Sequence, residues 1–282
     1  MNFSNLLQPM QKSSIRIEYD NDSKTPSPIG TSKIGGNPDL PSGFEWFYFQ
    51  GESYDGISEN RPLSFLAQIN CEEASKYDKD SILPTKGMLY FFYEIATMTW
   101  GFDPMDKGSA RVYYYSGEIS ELNQTECPSD LLEEYKIPEM PIAFSTENEL
   151  PGFEEFIEMH EGFDYKQWDE YDKEKNKLIP ESDEEPVSKL LGYANLIQSG
   201  MLLQCELTSS GINTGNSDGY ANVFVQQKED AKKWKLLFQL DSIQTENYEM
   251  LWGDVGRIYF YIHSDDLKAL DFENSWLILQ CS

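Results

Sequence analysis

Three stretches between Pro62 and Tyr115 decide the fold: SFLAQIN at Ser64–Asn70, GMLYFFY at 87–93 and RVYYY at 111–115. Each is rich in aromatic and aliphatic residues, and each is bounded by Gly, Pro or charged residues. That pattern predicts three β-strands that bury one or both faces.

A second set of three similar stretches lies near the C-terminus, at 235–242 (KLLFQLDS), 256–262 (GRIYFYI) and Trp276–Gln280 (WLILQ). The distance from the Gln of the first strand to the Gly that opens the second is 19 residues in one copy and 17 in the other. This repetition predicts an internal duplication. The expected fold class is mainly β (α+β), with rolled antiparallel sheets built from two related β-units.

The duplication predicts one domain over 1–282, with repeat-like units at about 34–118 and 190–282 and an acidic helical insertion at about 121–189. If the copies share an interior, equivalent side chains should superpose. The expected matches are Phe65 with Phe238, Phe91 with Phe260 and Tyr113 with Ile278.

Residues 121–190 carry 21 Asp or Glu against 6 Lys, and so contribute about −15 to the formal charge of −27. Apolar residues at helical spacing, such as Phe153 with Phe156 and Trp168 with Tyr171, predict helices in this region. Its run PESDEEP at 180–186 is expected to be a mobile acidic loop.

The charge of −27 and the sequence pI near 4.3 restrict the classes of partner. Binding to nucleic acid or to an anionic membrane needs clusters of Lys and Arg that neutralise phosphates. The sequence therefore predicts neither of these partners and favours a basic protein, while an acidic surface that serves only solubility stays open.

The four cysteines, Cys71, Cys127, Cys205 and Cys281, lie far apart, with no Cys-x-x-Cys pair and no His at zinc-ligand spacing. This spacing predicts free thiols and no metal site or cofactor. The chain shows neither a signal peptide nor an apolar run long enough to span a bilayer. A soluble protein of the cytoplasm is expected.

The run GINTGNSDG at 211–219 is expected to be a hairpin turn between two short strands at 202–207 and 221–227. It is similar to an acidic calcium-binding loop. However, Thr214 and Val225 stand where such a loop needs its first and last carboxylates.

No catalytic residues are predicted. The two histidines, His160 and His263, are not accompanied by a nucleophile motif, and Gly35-Gly36 lacks the pattern of a phosphate-binding loop. These observations favour a non-catalytic protein and leave an enzyme as an open alternative.

The clearest polar signal for a ligand site is a Trp followed closely by Gly and Asp in both halves of the chain. An indole face beside a carboxylate suits a sugar, a base or a cationic side chain. Two strand arginines next to aromatic residues suit a carboxylate or a stacked ring. Structural turns and ordinary Arg to carboxylate pairs remain the alternative explanation. The predicted ligand-binding residues are Trp100, Asp103, Arg111, Trp252, Asp254 and Arg257.

The chain carries IGGNPDLP, LSFLAQIN, GMLYFFYE, WGFDP and VYYY, and later LLGYANLIQ, LLFQLDS and MLWGDVGRIYFYI, in this order. From about residue 34 to the C-terminus it resembles the YwqG-like family of uncharacterised bacterial proteins. The resemblance implies a rolled, mainly β fold from related halves, without an established activity or catalytic residue. Some genes of such families lie near toxin systems, which implies an immunity-like binding role.

Two functions follow from these observations. The preferred one is a non-catalytic binding or immunity-like protein whose acidic insertion recognises a basic protein partner. The alternative is a small-ligand-binding protein or an enzyme with its site between the two β-units. A purely structural role is also open.

Overall fold

The computed structural model describes residues 3–20, 26–53, 55–180 and 187–282, so most of the run at 180–186 lies outside the described residues. Within these ranges the chain forms sixteen strands and seven α-helices. The strands are β1 Lys12–Tyr19, β2 Lys33–Ile34, β3 Asp39–Pro41, β4 Tyr48–Glu52, β5 Ser58–Pro62, β6 Ser64–Asn70, β7 Met88–Tyr93, β8 Ala110–Tyr115, β9 Leu122–Gln124, β10 Met140–Glu149, β11 Ser188–Leu191, β12 Trp234–Asp241, β13 Ile243–Gln244, β14 Glu249–Met250, β15 Arg257–His263 and β16 Trp276–Gln280. The helices are α1 Phe3–Leu7, α2 Cys71–Ala74, α3 Phe153–Met159, α4 Trp168–Leu178, α5 Leu202–Ser209, α6 Val225–Ala231 and α7 Ser264–Ala269.

Ten of these strands form one antiparallel sheet that rolls nearly closed, in the order β16-β15-β12-β11-β1-β10-β2-β6-β7-β8. The three strands of each predicted unit lie together, β6 to β8 at one end of the sheet and β12, β15 and β16 at the other. The expected mainly β fold of rolled antiparallel sheets is confirmed.

The interior of the rolled sheet is an apolar cluster to which both units contribute. The ring of Phe91 lies 4.5 Å from that of Phe238 and 5.2 Å from that of Phe260, centroid to centroid, and all three side chains are buried. Aromatic rings at such distances add specific pair energy to the burial of their apolar area. The two units are therefore packed against each other.

The strand register corrects one expected match between the units. Phe238 lies opposite Phe260, whereas Phe91 lies opposite Ala67 and not opposite Phe65. Each first strand has a bulge just before this position, at Leu66 in β6 and at the corresponding residue of β12. Because a shift of the register moves a side chain to the other face of the sheet, Phe65 packs in the outer cluster instead.

Of the two strands at the centre of the sheet, β1 and β10, the sequence did not predict β10. Strand β10, within the acidic insertion, pairs with β1 over eight residue pairs. The two predicted helices of the insertion, α3 and α4, are present, whereas the helical spacing at 131–135 corresponds only to the short 3-10 helix Glu133–Tyr135. Strand β10 escapes the pattern because it is mostly half-buried and has polar residues and acids in its second half.

The predicted strands at 202–207 and 221–227 are wrong, because residues 202–207 lie in α5 and residues 225–227 form the first turn of α6. Leu202 and Cys205, one helical turn apart, are both buried in the outer cluster that covers β12, β15 and β16. A short apolar run cannot be assigned to a strand or a helix from its periodicity alone. Here the segment forms a helix whose apolar side covers the outer face of β12, β15 and β16.

All four cysteines lie in the described ranges, and none forms a disulfide. This confirms the prediction of free thiols. None of the helices built from the described residues has the length and apolar character needed to cross a membrane.

Candidate functional site

Helices α1, α3 and α4 enclose an aromatic cluster beside the sheet. Phe3, Phe153, Phe156 and Tyr171 are buried in it, with ring centroids 4.8 Å apart for Phe156 and Tyr171. The Tyr171 hydroxyl donates a hydrogen bond of 2.7 Å to the Pro151 carbonyl. The cluster anchors α4, so that one side of this helix is held toward solvent.

Two aromatic side chains at the start of α4 remain outside. Tyr165 is 61% exposed and Trp168 is 39% exposed, and their rings are stacked with centroids 6.1 Å apart. Trp168 also packs on Phe153, at 5.4 Å. The pair is therefore held in place from below while its outer surface is open.

Exposed carboxylates surround this aromatic pair. Asp164 accepts a hydrogen bond from the Lys166 amide at 2.9 Å, while Asp169 and Glu170 lie exposed in the first turn of α4. Acids at a helix N-terminus stabilise the helix dipole, which gives these residues a structural role as well. We call Asp164, Tyr165, Trp168, Asp169 and Glu170 the acidic α4 face.

A cleft of about 850 Å³ lies between α3, α4 and strands β1, β10 and β11. Trp168 forms part of its wall, together with Glu154 and Asp172. The cleft also contains Arg16 and Lys189. The acidic α4 face thus continues into this cleft.

Two cations of the cleft, Arg16 and Lys189, are matched by carboxylates. Lys189 Nζ lies 2.6 Å from Glu149 Oε1, and Arg16 Nη1 lies 3.3 Å from Glu147 Oε1. Glu149 also accepts a hydrogen bond of 2.9 Å from the Tyr193 amide. Burying a charge is costly unless it is paired and hydrogen-bonded, so these pairs serve the stability of the sheet.

Beneath the cleft, α3 buries a carboxyl group against the sheet. Glu155 is 5% exposed, and burial raises the pKa of its carboxyl to about 7, although Lys12 and Lys189 favour the ionised form. Among the described residues, no hydrogen-bond partner is found for its Oε2 or for the hydroxyl of buried Tyr261. A carboxyl in this environment takes up a proton near neutral pH.

The predicted ligand residues of the second half do not form a pocket. Trp252 is fully buried, where its Nε1 donates to the Asp241 carbonyl at 3.1 Å and its ring packs on Tyr93. Asp254 is exposed, and its backbone carbonyl accepts a hydrogen bond from the Ser282 hydroxyl. Trp252 fills the core, so its indole face is not open to a ligand.

The corresponding residues of the first half lie in a surface loop. Trp100 is 38% exposed, and its carbonyl accepts a hydrogen bond of 3.2 Å from the Leu279 amide. Asp103 caps the 3-10 helix Pro104–Asp106 and accepts a hydrogen bond of 2.8 Å from Asn213. These contacts are structural, as expected for a turn that closes against neighbouring segments.

The two predicted arginines line different cavities. Arg257 lies in the cleft, with Nε 2.9 Å from Asp241 Oδ2. Arg111 lines a smaller cavity between β8 and β16. The six predicted residues therefore do not line one cavity, because Trp252 fills the core while Arg257 and Arg111 line different cavities.

A family model described as "Domain of unknown function (DUF1963)" matches residues 32–281. The chain belongs to the DUF1963 family. This confirms the expectation of an uncharacterised family, while the narrower resemblance to YwqG-like proteins stays a prediction. No curated protein matches the chain.

Nucleophilic chemistry has little support in this DUF1963 protein. Burial raises the pKa of the Cys71 thiol to about 12 and that of Cys205 well above its usual value. The thiolate is the reactive form, so both groups are inert at neutral pH. His160 Nε2 lies 3.3 Å from the sulfur of Met10, and His263 caps α7.

Sequence reasoning missed the acidic α4 face and Glu155. Tyr165 and Trp168 are separated by three residues, as in a helix-surface pair, and this spacing could have identified them. Glu155 gave no signal, because an acid in an acidic helix is normally solvated. Among the described residues no group of three His, Cys, Asp or Glu side chains could hold a metal ion.

Proposed function

We propose that this DUF1963 protein is a non-catalytic binding protein, acting as immunity proteins do, which recognises a basic protein partner through the acidic α4 face. The observation that carries the proposal is the exposed, stacked pair of Tyr165 and Trp168 among carboxylates. Aromatic anchors with a polar rim are typical of the centre of a protein interface.

The chemistry of the face selects a cation. A Lys or Arg side chain placed over an indole is attracted by the ring, by about 0.5–2 kcal/mol depending on its desolvation. Asp169 and Glu170 can each accept a hydrogen bond from the same cation. The total charge of −27 adds long-range attraction, which raises the association rate of a basic partner at low salt.

The first test uses a defined arginine-rich peptide and its glutamate-rich counterpart as probes, measured by titration calorimetry at low and high salt. The arginine-rich peptide is expected to bind and to weaken with salt, and the glutamate-rich one is expected not to bind. Basic proteins encoded beside this gene are the next probes. If the arginine-rich peptide and all of these proteins fail to bind at low salt, the proposal is wrong.

Matched variants separate the α4 face from general charge. Asp169→Asn with Glu170→Gln should slow association, whereas Glu246→Gln with Glu249→Gln removes the same charge from exposed positions near β13 and β14. Trp168→Ala should weaken binding by about 2 kcal/mol or more. Tyr220→Ala, at an equally exposed ring, should not weaken it. Equal losses in both sets would mean nonspecific attraction.

The alternative, a small-ligand-binding protein or an enzyme with a site between the β-units, is favoured by one specific observation. Of the six predicted residues, Arg111 lies in a cavity that both units line. The ligand that this cavity fits is a separate question from the binding of a basic partner.

A further inference from the structure

The edge strands of the large sheet, β8 and β16, are not paired with each other. A cavity of about 220 Å³ lies between them, which is the volume of roughly seven water molecules in the liquid. Ala110 and Arg111 of β8, Trp276 and Leu277 of β16, and residues of the 3-10 helix Phe272–Asn274 form its walls. The gap between the two units is thus large enough for a small molecule.

Charges of both signs line this cavity without neutralising each other. The cations are Arg111 and Lys107, and the carboxylates are Asp106, Asp266 and Glu273. Within the described residues, neither cation has a carboxylate oxygen within 4.0 Å, and neither makes a further interaction of this kind elsewhere. Cations and carboxylates therefore line the same cavity.

Arg111 differs in this respect from the other three arginines. Arg16, Arg61 and Arg257 each lie within 3.6 Å of a carboxylate oxygen. For Arg111 no such carboxylate is found among the described residues, and its guanidinium carbon lies 6.0 Å from the centroid of Phe47. In a chain with 49 acids, an arginine without a carboxylate partner is kept available for another anion.

Two tryptophans supply the apolar part of the cavity. Trp234 and Trp276 are each 6% exposed, and their indole nitrogens already donate to Glu206 and to the Gly101 carbonyl. Only their carbon surface is left to meet a ligand. Small-molecule sites commonly combine such apolar walls with a few polar groups that fix the orientation.

From these observations we infer that the cavity between β8 and β16 binds a small zwitterion of the α-amino acid class. Its carboxylate pairs with Arg111, its ammonium group pairs with Asp266 or Glu273, and its side chain lies against Trp234 and Trp276. A ligand with one charge would leave the opposite group of the cavity unpaired. The zwitterion satisfies both, which gives selectivity because a ligand with one charge can form only one of the two ion pairs.

Free L-amino acids at millimolar concentration are the probes, with thermal shift and titration calorimetry as readouts. Each is compared with its N-acetyl derivative, which lacks the ammonium group, and its amide, which lacks the carboxylate. At least one free amino acid should raise the melting temperature, and both blocked forms should bind about tenfold more weakly or worse. Equal binding of a blocked form, or no binding by any amino acid, overturns the inference.

Variants locate the site. Arg111→Gln and Asp266→Asn should each weaken binding about tenfold, while Arg61→Gln, which removes a paired arginine of β5, should leave it unchanged. Equal affinity in Arg111→Gln would place the ligand elsewhere and overturn the inference. If a variant fails to fold, the comparison of free and blocked amino acids on the unchanged protein still decides. A failed result here leaves the proposed basic partner untouched, because none of these residues belongs to the acidic α4 face.

Discussion

The unit of β6, β7 and β8 and the unit of β12, β15 and β16 differ in sequence but share an arrangement of buried polar groups. In the first, Gln68 Oε1 accepts a hydrogen bond from the Asp39 amide at 2.8 Å, and its Nε2 donates to a backbone carbonyl at 2.8 Å. In the second, Gln239 accepts from the Asn195 amide at 2.9 Å and donates to a carbonyl at 2.7 Å. Both glutamines are fully buried. In each unit, the same two kinds of hydrogen bond hold the preceding segment against the first strand.

The two units also share a left-handed turn after the short strand that precedes them. The φ values are +61° at Gly35 and +71° at Gly36 in the first unit, and +62° at Leu191 and +74° at Gly192 in the second. A Cβ at position 35 would lie 2.2 Å from the Pro138 carbonyl oxygen, so glycine is needed there. Leu191 keeps the strained conformation and is buried in the core. This likeness supports the predicted duplication, which stays a prediction.

The outer faces of the units are covered differently. Partly buried aromatic residues such as Phe44, Trp46 and Phe47 cover the first unit, whereas helix α5 covers the second. The buried carboxyl of Glu155 is on α3, which packs near the second unit. The difference indicates that the strands are common to both units. The segments that cover their outer faces, and the buried carboxyl of Glu155, lie outside these shared strands.

The largest expected effect breaks the interior that the units share. Phe91→Ala and Phe238→Ala should each lower the free energy of unfolding by about 3–5 kcal/mol, because each leaves a cavity in the core. Since the rings are in contact, the double variant should differ from the sum by about 0.5 kcal/mol or more. Urea denaturation measures both. Phe224→Ala, at a 71% exposed ring, is the control, and strict additivity would argue against a shared interior.

The next effect is expected at two buried lysines, one on the short strand that precedes each unit. Lys33 Nζ lies 2.9 Å from Glu139, and Lys189 Nζ lies 2.6 Å from Glu149. Lys33→Met and Lys189→Met should each cost about 3 kcal/mol of unfolding free energy, because a partly buried carboxylate loses its cation. Adding Glu→Gln at the partner should recover part of the loss. A loss below about 0.5 kcal/mol, as expected for the exposed Lys177 pair, would contradict the comparison.

A smaller effect is expected at the paired glutamines. Gln68→Leu and Gln239→Leu should each lower the free energy of unfolding by about 1–3 kcal/mol, since each leaves a backbone amide and a carbonyl unsatisfied. Equal losses of unfolding free energy in the two variants would strengthen the inference that the units share this arrangement. Hydrogen exchange of the Asp39 and Asn195 amides provides an independent measurement, and no faster exchange in the variants would refute the role given to the glutamines.

The smallest effect is a pH dependence that comes from the buried carboxyl of Glu155 on α3, outside the strands of both units. The pKa of Glu155 is raised to about 7 by burial, from 4.5, so the folded protein binds a proton that the unfolded chain has lost. Stability should therefore fall as the pH rises through this window, by about 1–2 kcal/mol between about pH 5 and about pH 8. Glu155→Gln should flatten the profile in part, because the pKa of Glu158 is raised to about 7 by burial as well. An unchanged slope in this variant would show that Glu155 is not responsible.

Most of the strands of the two units could be predicted because they depend on local sequence patterns. Strand β6 was predicted with its observed ends, and β7, β8, β12 and β15 were predicted to within one residue at each end. Their aromatic and aliphatic runs are bounded by turn residues that few other structures tolerate. Helix α4 was likewise predicted from a local pattern, because its apolar residues repeat at helical spacing.

The candidate sites could be predicted only in part. Arg111 was chosen because an arginine beside aromatic residues is unusual, and it does line a cavity. Trp252 was chosen for the same kind of reason, yet its indole fills the core. A single sequence does not state which of two similar side chains meets solvent, because burial depends on the segment that packs over it.

By itself, the sequence determined the three main strands of each β-unit, where the glycine turn at residues 35–36 lies and that the charge is concentrated in residues 121–190. Only the tertiary structure decided that β10 runs through the centre of the sheet, that residues 202–209 are helical and that Lys33, Lys189 and Glu155 are buried. The physical reason is the distance along the chain over which each effect acts. Propensity and periodicity act over a few neighbouring residues, whereas strand pairing and the environment of a charge depend on residues far away in the chain.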